Sequence, residues 1–218
     1  MAISNGRTNC QVERDFVLQG FSEQLQILKD SQVEQENVFK AHLYDIMTDY
    51  SISDDEKTSL KHPWFNELQE LEERHIRIRR SVFIGLYSFW EVSLMNIAKT
   101  YRTSIIHSPK AQTNKFMNFG AGDYLGQIYG DILPPSIVII DGNIREFRNY
   151  MVHGSLTEKR RQLIDELQTK NPEFCIEKVC GNYFFRSYNG LRALLNLVSR
   201  ELDNAENKVL KQNKIIKR

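Results

Sequence analysis

The stretch EFRNYMVHG, residues 146–154, holds Arg148, Asn149 and His153 close together, and Arg145 stands just before it. Ile137, Ile140, Ile144, Phe147 and Met151 recur there at three- and four-residue steps, which predicts a helix with one core-facing stripe. With about 100° of rotation per residue, Arg145, Asn149 and His153 line up on the side away from the isoleucines, and Arg148 sits at the edge of that line. Gly154 is placed to end the helix in a left-handed conformation. His153 then lies in the last turn, where free carbonyls and the negative end of the helix dipole favour a protonated imidazole. A guanidinium beside an imidazole suits attack on a phosphodiester, because the first neutralises the charge building on phosphorus and the second moves a proton near neutral pH. RNA supplies its own nucleophile, the 2′-hydroxyl, so this route needs no metal. The same helix face carries neither a carboxylate cluster nor a His-x-x-x-His pair. These residue types also serve ordinary surface and packing roles.

A second chemical feature is Glu91, set among Phe89, Trp90, Val92 and Leu94. An unpaired carboxylate in apolar surroundings is costly to desolvate, so it needs a partner. Arg145 and Arg148 are the natural candidates if the isoleucine stripe packs on the Phe83–Met95 stretch. The alternative is that Glu91 faces water on the one polar side of its helix.

The segment Arg148-Asn149-Tyr150-Met151-Val152-His153, with Gly154 trailing it, resembles the R-N-x-x-x-H form of the R-x4-6-H signature of HEPN-domain ribonucleases. In that family the motif closes a helix of an all-α bundle, after an earlier helix with an acidic residue in a hydrophobic run, which Ser88-Phe89-Trp90-Glu91-Val92 resembles. The likeness spans roughly residues 75–205 by helix order, and residue-level agreement is confined to the motif and the Glu91 helix. It implies a homodimer with facing motif helices and a composite, metal-independent site without a cofactor. Carried over, Arg148 meets the phosphate and its transition-state charge, His153 transfers a proton or orients the 2′-hydroxyl, and Asn149 positions. Arg145 and Glu91 support them, while Tyr150 points to the opposite flank as packing. Toxins paired with a nucleotidyltransferase antitoxin carry a tyrosine two residues after the histidine; Ser155 stands there in this chain. The resemblance therefore implies a stand-alone toxin or antiviral-defence endoribonuclease, with RNA as substrate and an antitoxin or regulatory protein as a further partner. Two alternatives are a non-catalytic RNA- or protein-binding module of the same fold and a helical structural or regulatory protein that dimerises through its long helices.

A chain of 218 residues suits one domain with a closed core, and 41% hydrophobic with 26% charged residues is a globular balance. The net charge of +1 gives no global attraction for polyanions, so any nucleic-acid site must be local. Two basic clusters stand out: Arg74-His75-Ile76-Arg77-Ile78-Arg79-Arg80, and a C-terminal run through Lys208, Lys211, Lys214, Lys217 and Arg218. Arg74, Arg77, Arg79 and Arg80 are candidate RNA contacts if they lie beside the motif helix; otherwise they form a solvated face. Cys10, Cys175 and Cys180 lack metal-ligand spacing and fit a reducing compartment. The N-terminus shows no basic region followed by an apolar block, so a cytoplasmic protein is expected. Residues 81–98 approach transmembrane length with a single charge, but polar interruptions favour a buried central helix and no membrane.

These features belong to a predicted all-α, HEPN-like bundle of long antiparallel helices in one domain, residues 1–218. A long amphipathic helix is expected over 15–50, and a core bundle over 64–205, with Pro63 marking entry to its first helix near Trp64 and that helix running to Ile105. A loop with a turn of helix over 108–119, a short helix near 122–132 and the motif helix from Pro135 follow. A minor β-hairpin is expected near 174–186 around Gly181-Asn182, then a final helix over 188–211, with 206–218 forming a basic tail.

Overall fold

The computed structural model describes residues 9–100, 125, 128–129 and 133–216. The expected loop over 108–119, most of the short helix near 122–132 and the end of the second helix at Ile105 lie outside the described residues. The fold is all-α with one small antiparallel hairpin.

Helix α1 (Asn9–Thr48) and helix α2 (Asp54–Thr100) form an antiparallel pair. Successive contacts fix the register: Phe21 meets Phe89 with ring centroids 6.0 Å apart, Gln32 reaches Glu72 and Arg79, and Phe39 meets Trp64 at 5.8 Å. The reversal between them is short because Asp49 Oδ1 accepts from the Ser51 N–H at 2.8 Å and Ser53 Oγ accepts from the Glu56 N–H at 3.3 Å. Asp54, Asp55 and Glu56 then place negative charge at the positive end of α2. Contrary to the expected break at Pro63, α2 runs through it. A proline inside a helix removes one backbone hydrogen bond and crowds the carbonyl four residues earlier. Pro63 is exposed, so water can satisfy that carbonyl.

The next arm begins at Pro135, whose missing N–H suits a first helical turn. It comprises α3 (Pro135–Val138), a π-helical segment (Ile139–Ile144) and α4 (Arg145–His153). The single α-helix expected here is therefore interrupted: the Arg145 N–H reaches Ile140 O, five residues back. The predicted stripe nevertheless holds, since Ile137, Ile140, Ile144, Phe147 and Met151 are all buried. Helix α5 (Glu158–Lys170) starts at Thr157, whose side chain accepts from the Arg160 N–H. A 3-10 turn over Pro172–Phe174 leads into β1 (Ile176–Val179), which pairs with β2 (Asn182–Phe185) in the register Ile176 opposite Phe185 and Val179 opposite Asn182. The two-residue turn is Cys180-Gly181, one residue earlier than the expected Gly181-Asn182 because Asn182 already pairs with Val179; its φ values of 49° and 80° are the backbone of a type I′ hairpin.

Helix α6 (Tyr188–Ile216) closes the bundle, antiparallel to α1. Arg192 donates to Gln26 Oε1 at 2.6 Å, and buried Arg14 pairs with Glu206 at 2.6 Å and with Asp203. The expected basic tail from residue 206 is instead helix through Ile216, with Glu206 and Val209 fully buried. Lys208 lies 4.7 Å from the centroid of the Tyr129 ring, so one of the tail's charges covers an aromatic side chain. The core joins Phe83, Leu86, Trp90, Leu94 and Ile97 of α2 to the motif arm and to Leu191, Leu202 and Val209 of α6. Among the described residues α2 is the helix long and apolar enough to cross a membrane, and this face of it is packed inside the bundle.

Candidate active site

Phe147 docks the motif helix. Its ring centroid lies 5.1 Å from that of Phe83 on α2 and 5.3 Å from that of Phe185 on β2, and Phe83 and Phe185 are 5.0 Å apart. This buried aromatic trio turns the opposite side of α4 outward. On the α5 side, Glu146 pairs with Arg160 at 2.9 Å, and Asn143 donates to Leu163 O at 2.8 Å.

At the junction of α2, the π segment and α4, charged groups converge. The Arg148 guanidinium lies 5.9 Å from the Tyr87 ring centroid, and its Nη1 donates to Asn149 Oδ1 at 3.2 Å. Arg145 pairs with Asp141 at 3.2 Å and with Glu146 at 3.9 Å. Glu91 is half-buried, and burial raises its pKa; the charge of Asp141 adds to the rise, while Arg148 and Arg145 pull it down. No hydrogen bond joins Glu91 to either arginine among the described residues, so they act on it through space. Burial also raises the Tyr87 phenol, reinforced by Glu91 and Asp141 and opposed by the two arginines. Among the described residues both the Tyr87 hydroxyl and Arg148 Nε are buried without a hydrogen-bond partner.

His153 ends α4 on the exposed side. Gly154 takes φ of 67° and its N–H reaches Tyr150 O at 2.8 Å, which is the expected left-handed cap. Arg145, Asn149 and His153 share one α-helix after the π segment, so their four-residue spacing keeps them on one face. The structure thus brings Arg145, Arg148, Asn149 and Glu91 into one cluster with His153 along the same helix. Glu91 does not simply face water.

Tyr87 and Asp141 belong to this cluster and were not singled out from the sequence. A signal existed, because Tyr87 precedes Glu91 by four residues and Asp141 precedes Arg145 by four, which is one helical turn.

The basic segment divides. Arg79 is fully buried: it pairs with Glu72 at 2.5 Å, donates to Gln32 Oε1 at 3.2 Å and lies 5.5 Å from the centroid of the Tyr188 ring. It cannot contact RNA in this fold. His75 on the same stripe shares a 2.8 Å hydrogen bond with the Tyr188 hydroxyl, and burial followed by the Arg79 charge lowers its pKa. Spacing alone does not separate these residues from Arg74, Arg77 and Arg80, which are exposed, because Gln32 and Tyr188, which help to enclose Arg79, come from α1 and α6. Arg77 is 3.7 Å from Glu73. Arg80 lines a 300 Å³ cavity together with Tyr150 and Gly154, which brings it to the flank of the motif helix.

Among the described residues no group of three or more His, Cys, Asp and Glu side chains is placed to hold a metal ion. No family model, curated protein or solved structure matches the chain.

Proposed function

We propose that this protein is a metal-independent endoribonuclease of the HEPN type, a toxin or antiviral-defence effector that works in the cytoplasm as a homodimer. The observation that carries this reading is the convergence of Arg145, Arg148 and Asn149 with Glu91 and Tyr87 on the helix that ends in His153. In the reaction the RNA 2′-oxygen attacks the adjacent phosphorus and the bond to the 5′-oxygen breaks. His153 takes the 2′-hydroxyl proton, Arg148 and Arg145 neutralise the charge on the phosphoryl oxygens, and Asn149 orients Arg148. The leaving 5′-oxygen takes a proton from the imidazolium of the second copy, leaving a 2′,3′-cyclic phosphate and a 5′-hydroxyl. The homodimer is supported by Val92, Val138 and Val152, which are 49%, 50% and 38% exposed on the elements that build the charged cluster. Apolar groups beside polar ones suit a protein surface that becomes covered.

The test is to incubate wild type and His153→Ala with labelled total RNA in excess EDTA and to determine the 3′ ends. Cleavage by wild type alone, leaving cyclic phosphates, is expected. Cleavage that EDTA abolishes or that His153→Ala retains overturns the mechanism. RNA held on a filter without cleavage would assign the protein to the non-catalytic binding class instead.

A further inference from the structure

We infer that the 300 Å³ cavity on the Tyr150 side of α4 is a binding site for a single ribonucleotide, with the base against the half-buried Tyr150 and Phe184 side chains and the phosphate at Arg80. The choice of RNA as the source of that nucleotide rests on the proposed nuclease reading. The cavity is bounded by Arg80 from α2, Tyr150 and Gly154 from the end of α4, and Asn182, Tyr183 and Phe184 from β2. Its size is at the lower end for small-ligand sites, enough for one nucleotide and too little for a longer stretch.

The walls are held by hydrogen bonds that leave specific valences open. The Tyr150 hydroxyl donates to Asn182 Oδ1 at 3.2 Å and accepts the Tyr183 N–H at 3.3 Å. The Tyr150 and Tyr183 rings meet edge to face, with centroids 5.9 Å apart at 87°, so each is locked by its neighbour. Asn182 is exposed, and with its oxygen engaged its amide N–H groups, which have no partner among the described residues, can donate to a carbonyl on a base edge. Phe184 is half-buried, packs against the core and lines the cavity. Arg80 is exposed, and among the described residues it has no carboxylate partner, so its charge is available to an anion. A lone arginine beside aromatic surfaces matches a nucleotide better than a phosphopeptide, which is usually gripped by several arginines. Gly154 directly follows His153, so a base seated here brings the neighbouring phosphodiester to the His153 end of the motif helix.

The experiment titrates UMP, CMP, AMP and GMP, with inorganic phosphate and phosphotyrosine as controls, into full-length wild type, Arg80→Ala and Phe184→Ala, following tyrosine fluorescence. Saturable binding of at least one nucleotide, tighter than inorganic phosphate, is expected. Phe184→Ala should weaken it roughly 5- to 100-fold, the range for loss of one stacked base. Arg80→Ala, a surface change that leaves the core intact, should weaken it and flatten its salt dependence by about one phosphate contact. Equal binding of inorganic phosphate reduces the site to an anion site and overturns the proposal, as does saturation by phosphotyrosine alone or affinity unchanged in both variants. The readout needs no cleavage. A protein that binds nucleotides but never cuts RNA keeps this site and loses the nuclease reading, whereas one that cuts RNA and binds no nucleotide loses this site alone.

Discussion

Phe147 carries no charge, yet its ring docks the helix that carries Arg145, Arg148 and His153. The side chain is fully buried and forms two sides of a triangle of rings, with centroids 5.1 Å from Phe83 and 5.3 Å from Phe185. Phe147→Ala removes the ring from a site where α2, α4 and β2 meet, so no single element can move in to refill the space. A buried Phe→Ala change costs about 3–5 kcal/mol, which includes the residual cavity and the aromatic pairs. At about 2–4 °C per kcal/mol for a chain of this size, the midpoint of thermal unfolding should fall by roughly 6–20 °C. Urea titration followed by circular dichroism measures the loss directly, and an unchanged slope shows that the denatured state is not responsible. Hydrogen exchange gives a local readout: protection of the Gly154 N–H, bonded to Tyr150 O, should drop more than protection in α6. A total loss below about 1 kcal/mol would refute the view that the trio docks the motif helix.

Two further perturbations probe the fold and the electrostatics. A Cβ added at Gly190 would stand 1.9 Å from Phe174 O and 2.6 Å from Phe174 C, so Gly190→Ala should destabilise by about 2 kcal/mol or more despite the better helix propensity of alanine; an unchanged urea midpoint would contradict that close approach. Glu91 holds its proton more tightly in the folded chain because burial outweighs the two arginines, so its contribution is favourable when protonated and is lost as pH rises through the folded pKa. Glu91→Gln should therefore melt higher than wild type at pH 8 and match it near pH 3. A variant less stable than wild type at pH 8 would mean that the arginines dominate.

Local features were legible because each is set within a few residues. The three-four spacing of Ile137, Ile140, Ile144, Phe147 and Met151 needs only a helical repeat to become a buried stripe. Gly154 needs only its own freedom at positive φ to cap α4, and Gly181 likewise marks the hairpin, although the turn proper is Cys180-Gly181 and not Gly181-Asn182. The exposed continuation of α2 through Pro63 was not legible, because a proline's local preference for a boundary yields when flanking turns and tertiary packing hold the helix on both sides. The π segment is of the same kind: the expected single α-helix follows from sequence spacing, and the insertion at Ile139–Ile144 does not.

The sequence by itself determined the helical class, the apolar stripes and the alignment of Arg145, Asn149 and His153, since these depend on backbone repeat and local capping. Only the tertiary structure decided the fate of each charge. Arg79 and Arg80 are adjacent in the chain, yet Arg79 is enclosed by Gln32, Glu72 and Tyr188, whereas Arg80 opens onto the cavity beside Gly154. In the same way Glu91 acquires Arg148, Asp141 and Arg145 as neighbours from another arm. Neighbouring side chains on a helix point about 100° apart, so which of them meets solvent depends on helices tens or hundreds of residues away.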